Sequence, residues 1–248
     1  MKLSFKEDIA YISFGRNKRN TLTTSCFNKL SSILTELKAK DVKPRAIVLE
    51  SSVDDVFSYG ADPEFFASLD LQGKKELFVS LMNSCKAALS CHIPIIVDLR
   101  GPAKAGGAIL AALSDFAVSC ERDAVLSFSE VKVGIPIPHC LYKIVERRIS
   151  ASHFSEMMLL GKNVNAKELS EIGFSNACYF GSNKKEAFES VFSKIRRIDQ
   201  EVMAYSIKAR NHGIIDTINS YIANFDEDFL HFLDVKHTVS SFKKLEKL

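Results

Sequence analysis

Short unbroken apolar runs, set between stretches of helical spacing, constrain this chain more than any other feature. Ala46-Ile47-Val48-Leu49, just after Pro44, and the run Pro94 to Leu99 are apolar at nearly every position. Runs of that kind belong to strands covered on both faces. Between and around them the spacing changes. Phe27, Leu30, Ile33, Leu34 and Leu37 recur at the helical period, which predicts a helix capped by Thr24 and running to about Ala39. Leu77 to Ser90 and Gly107 to Leu113 also read as helices, and Phe116-Ala117-Val118 and Val125-Leu126-Ser127-Phe128 read as strands. Strands separated by such helices imply right-handed crossovers, an α/β class and a mostly parallel sheet. Leu3-Ser4-Phe5, a turn at Glu7-Asp8 and Ile9 to Phe14 predict a hairpin at the start.

After Gly134 the chain changes character. Pro136 and Pro138 mark a loop, and the pattern is helical from about Tyr142. Helices are predicted over Ser152–Leu160, Ala166–Ile172, Lys184–Ile198, Glu201–Ala209 and Asp228–Val235, with one late strand in Asn176–Phe180. A soft boundary near residue 195 separates a core, 1–195, from a helical tail, 196–248. A chain of 248 residues, 46% of them hydrophobic, buries its own core without disulfides or metal. Its net charge of +3, with both signs interspersed, excludes a dedicated nucleic-acid face. Six scattered cysteines without a C-x-x-C pair and no secretory pattern predict reduced thiols and a cytoplasmic protein. No apolar run is long enough to span a bilayer, so no membrane is expected.

Two stretches carry the chemistry. Phe57-Ser58-Tyr59-Gly60-Ala61-Asp62 and Ala105-Gly106-Gly107-Ala108 each put small residues where a strand gives way to a helix. A backbone N–H at such a point has no helical partner and sits at the positive end of the helix dipole. Two of them aimed at one spot stabilise a thioester carbonyl oxygen as it becomes an enolate. Downstream lies Ser129-Glu130-Val131-Lys132-Val133-Gly134, with Glu130 in a segment between Phe128 and Val131. A carboxyl in apolar surroundings has a raised pKa and moves protons near neutrality.

In this order the three stretches resemble the crotonase, or enoyl-CoA hydratase/isomerase, superfamily, over roughly residues 1 to 195. The resemblance implies a crotonase (ClpP-like) fold of repeated ββα units with a C-terminal helical trimerisation region, and a homotrimer or a hexamer built from trimers. It places the oxyanion hole at the Ala61 and Gly106 amides and the active-site acid at Glu130. One departure stands out. Hydratases of the family carry a second glutamate three residues beyond the hole glycine, and here that position is Ile109. Members with one carboxylate at the Glu130 position include Δ3,Δ2-enoyl-CoA isomerases and the dehydratases of polyketide β-branching. The segment Pro138-His139-Cys140-Leu141-Tyr142 to Arg147-Arg148 is nearer to those dehydratases, with His139 a candidate second acid. A decarboxylase relative would carry a lysine after the first turn, where this chain has Pro63-Glu64.

The resemblance further implies an acyl-CoA or acyl-carrier-protein thioester as substrate, with no resident cofactor and no metal. Hydration or dehydration is the first expectation and isomerisation the second, with a non-catalytic thioester binder as the competing class. The carrier's phosphates are expected near the loop Arg16-Asn17-Lys18-Arg19-Asn20-Thr21 and the first turn, through Arg16, Lys18, Arg19, Tyr59 and Asp62. A solvated basic loop accounts equally for the first three, and helix capping accounts for Asp62. Lys236, Lys243 and Lys244 read either as contacts to a neighbouring subunit's carrier or as a charged tail.

Overall fold

In the computed structural model of the chain, which describes residues 1–225 and 227–233, the apolar runs form the middle of a six-stranded sheet. The hairpin β1 (Lys2–Lys6) and β2 (Ile9–Phe14) is antiparallel, with Leu3 opposite Ile12. Helix α1 (Thr24–Ala39) then crosses to β3 (Ala46–Ser51), which lies parallel to β2 with Ile47 beside Ala10. Helices α2 (Pro63–Ser68) and α3 (Leu71–Ser90) lead to β4 (Ile95–Leu99), parallel to β3. A three-residue strand, β5 (Pro102–Lys104), and α4 (Gly106–Ala112) precede β6 (Phe116–Cys120), parallel to β4.

The chain continues through β7 (Val125–Ser127), a 3-10 turn over Ser129–Val133, α5 (His139–Glu146) and α6 (Ala151–Leu159). Next come β8 (Val164–Asn165), α7 (Ala166–Glu171) and β9 (Ala177–Tyr179), which completes the large sheet beside β6. Three helices follow: α8 (Lys184–Arg196), α9 (Gln200–Ala223) and α10 (Glu227–Phe232). The large sheet runs β1-β2-β3-β4-β6-β9, and β5, β7 and β8 form a small second sheet.

Alternation along the central strands divides the interior. Ile47, Leu49, Ile95, Val97 and Leu99 face a large core with α1 and α3. Val48, Ile96 and Val118 face the other way, against Phe188, Val191 and Ile195 of α8. That double covering is why β3 and β4 read as continuous apolar runs. All five residues of the α1 stripe are buried, each contributing roughly 1.5–3 kcal/mol by leaving water.

Several boundaries differ from the sequence reading. Helix α1 is capped at Thr23, one residue early, and no side chain bonds its first amides. Helix α3 begins at Leu71 rather than Leu77, with Asp70 as its cap. Helix α9 continues to Ala223, far beyond Ala209. Its buried residues are only Ile207, Asn211, Ile218 and Tyr221, so its apolar face is too sparse to show as a stripe. Helix α10 starts at Glu227, and Val235, the expected end of that segment, lies outside the described residues. Among the described residues no helix is long and apolar enough to cross a membrane.

Candidate active site

Three chain segments leave the small sheet side by side and in the same direction. β5 is parallel to β7, with Lys104 beside Ser127, and Ser58 forms a parallel bridge to Ala103. Ser58 therefore runs out into Gly60-Ala61, Lys104 into Ala105-Gly106, and Ser127 into Ser129-Glu130. All three meet at the carboxyl ends of parallel strands, where α/β sheets open into a crevice.

The first amide is set by pairing with the early loop. Leu22 N–H donates to Gly60 O at 2.8 Å, and Asp62 N–H donates to Leu22 O at 3.0 Å. In such a parallel bridge the intervening residue, Ala61, turns its own N–H away from Leu22. The second amide is set by strain. Ala105, just before α4, has φ +48°, which is unfavourable for a residue with a Cβ, and its N–H is held by Ser127 O at 2.9 Å. The next N–H, that of Gly106, is thereby freed at the start of α4. Among the described residues neither the Ala61 nor the Gly106 amide has an acceptor.

Two glycines make this approach possible. Gly60 has φ +79°, and a Cβ there would lie 2.8 Å from Gly106 N. A Cβ on Gly107 would lie 2.3 Å from Ser58 O. Gly106 itself is different: its Cβ would meet nothing closer than 3.7 Å and would stand 3.9 Å from Ala61 N. A side chain at Gly106 would make only ordinary contacts, beside the Ala61 amide.

Glu130 occupies the 3-10 turn that follows β7. The residue is half-buried, but Oε2 is fully buried and has no hydrogen-bond partner among the described residues. Loss of water pushes its carboxyl up to about 7. Ile109, in the position of the hydratases' second acid, is completely buried in α4. His139 is exposed at the start of α5, its ring 5.1 Å from that of Tyr221 in α9.

The expected carrier contacts divide into two groups. Asp62 faces inward: Oδ1 accepts from Phe65 N–H at 3.0 Å as the cap of α2, and Oδ2 accepts from Thr21 Oγ1 at 2.8 Å and from Arg16. Burial works against its charge, but the cap bond, Thr21 and Arg16 together hold its pKa down to about 2. Asp62 thus caps α2, the alternative the sequence offered for it, and Arg16 is paired with it. Lys18 and Arg19 are exposed, and Arg19 lies 6.0 Å from the Tyr59 ring centre.

Two further cations, not evident in the sequence, join this second group. Lys104 Nζ lies 5.1 Å from the Tyr59 ring centre. Partial burial, then the charges of Lys132 and Arg19, lower its pKa. Among the described residues none of Arg19, Lys104 and Lys132 has an acidic partner. Lys236, Lys243 and Lys244 lie outside the described residues.

Comparison with known proteins places this geometry in context. The family model described as enoyl-CoA hydratase/isomerase matches residues 4–244. A Thermus thermophilus protein assigned as an enoyl-CoA hydratase is 32% identical over 162 residues, covering 64% of this chain and 62% of that protein. The bacillaene synthase dehydratase of Bacillus subtilis is 24% identical over 215 residues, covering 83% of this chain and 78% of its own. In fold, human mitochondrial Δ3-Δ2-enoyl-CoA isomerase is similar with a TM-score of 0.88 at 15% identity, covering 97% of this chain and 93% of that one.

Proposed function

Since this chain belongs to the enoyl-CoA hydratase/isomerase family, we propose that it is an acyl-thioester lyase dehydrating a 3-hydroxyacyl group, or hydrating the enoyl product. The thioester oxygen is received by the Ala61 and Gly106 amides, and Glu130 removes the C2 proton. As charge moves onto that oxygen the two N–H groups hold it, each such donor being worth about 10²–10³ in rate. Charged Glu130 takes the proton and its neutral form returns it. A carboxyl poised at about 7 is suited to both roles.

The observation that carries this reading is a buried Glu130 Oε2 and two main-chain donors, all without partners among the described residues, on segments that leave parallel pairings side by side. Similarity to the bacillaene synthase dehydratase supports dehydration over other lyase chemistry. Δ3,Δ2 isomerisation is the second reading, and Ile109 favours it, because shuttling one proton between C4 and C2 needs a single acid. The carrier, CoA or a carrier protein's phosphopantetheine, is read as lying against Tyr59. There Arg19, Lys104 and Lys132 supply positive charge for phosphate. Exposed Val202 and Tyr205 on α9 support self-association into a trimer or hexamer.

Deuterium exchange tests the chemistry. Incubated in heavy water with crotonyl-CoA or a 3-methylglutaconyl thioester, the wild-type chain should carry label into C2 or C4. Glu130→Gln, nearly isosteric, should lose about 10²–10⁴-fold of that rate with an unchanged fold. Label at C2 with water addition identifies the lyase, and label at C2 and C4 without it identifies the isomerase. Thermal stabilisation by CoA with no exchange would instead make the chain a thioester binder.

A further inference from the structure

An acid that moves a proton at one carbon must be held still relative to the amides that hold the oxygen. The turn that carries Glu130, Ser129–Val133, leaves β7 and closes at Gly134. Antiparallel pairing of β7 with β8, Leu126 beside Val164, brings the corner between α6 and β8 to the same end. Gly161 stands in that corner, buried, with φ +62°. Left-handed backbone past the end of a helix is reason enough for a glycine. It does not account for the crowding. A Cβ on Gly161 would lie 3.0 Å from Lys132 Cε, 3.2 Å from Phe128 O and 3.2 Å from Val131 Cγ2, touching the chain on both sides of Glu130. Gly173 is the contrast. It follows α7 as Gly161 follows α6, with φ +76°, yet a Cβ there would meet nothing within 4 Å. The corner is also bonded to the site. Completely buried Ser127 donates from Oγ to Gly161 O at 3.2 Å, and its own carbonyl takes the Ala105 N–H at the oxyanion hole.

We propose that Gly161 is a positioning residue for Glu130: its bare Cα is the seat on which the turn rests, and the Ser127 hydroxyl keeps that seat in register with the oxyanion hole. The inference rests on the reading of Glu130 as the group that moves the acyl proton. A methyl at position 161 would stand a few tenths of an ångström inside ordinary contact with its neighbours. Lys132 Cε is the far end of a flexible side chain and can swing aside. Phe128 O is main chain, and shifting it shifts the turn that starts at the next residue. A catalytic group has to be held within about 0.5 Å of its productive place, and a displacement of about 1 Å costs about 10²-fold in rate. A shift of a few tenths should therefore cost about tenfold.

The test is a double-mutant cycle. Entry of label from heavy water into C2 or C4 of 3-hydroxybutyryl-CoA and crotonyl-CoA is measured against thioester concentration, giving kcat and KM of exchange. Gly161→Ala and Gly173→Ala should both lower the thermal midpoint, since each forces a residue with a Cβ into left-handed backbone. Only Gly161→Ala should lower kcat, by about tenfold, with KM within about threefold of wild type. Combined with Glu130→Gln, it should change the residual rate by less than about twofold, because a residue that acts through Glu130 then has nothing to act through. Unchanged kcat in Gly161→Ala, an equal loss in Gly173→Ala, a rise in KM alone, or a further tenfold loss in the double variant each overturns the proposal. If Gly161→Ala does not fold, Ser127→Ala replaces it in the cycle. That change inserts no atom and unties the seat, so kcat should fall about threefold and the double variant with Glu130→Gln should show no further loss. Full kcat there also overturns the proposal. A wild-type chain without exchange, or Glu130→Gln as fast as wild type, fails the reading of Glu130 itself, and the role of Gly161 falls with it.

Discussion

Asp98 and Glu130 are both acids withdrawn from water, and the chain treats them in opposite ways. Asp98 is completely buried in β4, on the sheet face covered by α8. There it accepts from Lys184 Nζ at 2.6 Å, Arg100 at 2.9 Å and the Tyr179 hydroxyl at 3.1 Å. Glu130, at the end of the small sheet, leaves Oε2 with no partner among the described residues. Burying a charge is tolerable when it is paired and hydrogen-bonded, and costly otherwise. The first acid fastens α8 to the sheet. The second is held in a state the fold does not prefer, and such a group exchanges protons readily near neutrality.

The largest effect expected from breaking this contrast is at the paired acid. Asp98→Ala strands Arg100 and Lys184 against a cavity lined by Tyr179, and removing one member of a buried pair costs about 3–5 kcal/mol. Urea unfolding at pH 7 measures it. A loss below about 1 kcal/mol would mean that the cluster is no stronger than an exposed ion pair. The asymmetry between the two acids would then disappear.

Glu130→Gln should act in the opposite direction and depend on pH. The folded-state pKa, about 7, is above the ordinary 4.5, so the folded protein binds this proton more tightly than the unfolded chain. That stabilisation is present in full below about pH 4.5 and is lost as pH rises through 7. Above that, wild type carries an uncompensated charge. The amide variant should therefore be more stable than wild type by up to about 3 kcal/mol at pH 8, and about equal to it at pH 4. Unfolding curves at the two pH values decide the matter, and equal stability at pH 8 would show that water reaches the carboxylate. Dehydration, which needs the charged form, should rise with pH through the same midpoint.

This contrast was only half legible in the sequence. Apolar runs and the α1 stripe expose the layered sheet because burial on two faces, or on one face of a helix, leaves a periodic trace. Glu130 stands out because Phe128 and Val131 bracket its short segment and its turn follows a strand. Asp98 gave no such sign, since two of its three partners, Tyr179 and Lys184, are 81 and 86 residues away and pairing of that kind leaves no local pattern. The short elements failed for another reason. β5 has three residues and α2 has six, too few for any period to repeat. Lys104 sits in β5, and it stands beside Tyr59 only through the bridge between Ser58 and Ala103, which leaves no local pattern. Asp62 shows the converse: a residue at the right place in a motif, whose oxygens the fold had already engaged.

Lys104 supplies the smallest test of the same comparison, because it is a cation without the acid that Lys184 has. Lys184 is held by Asp98, whereas Lys104 shares the Tyr59 ring with Arg19 and feels Lys132. Removing a structural cation harms the fold, but removing an unpaired one from a cluster of like charges relieves repulsion. Lys104→Ala should therefore leave stability within about 0.5 kcal/mol, or raise it slightly. If the cluster receives the carrier's phosphate, KM for a CoA thioester should rise about threefold to tenfold with kcat nearly unchanged, the mark of lost ground-state binding. The effect should shrink as salt screens the charges. A fall in kcat at constant KM would place Lys104 against the reacting acyl group instead. The two unpaired features, Glu130 and the cations, would then belong to one chemical step rather than to reaction and carrier separately.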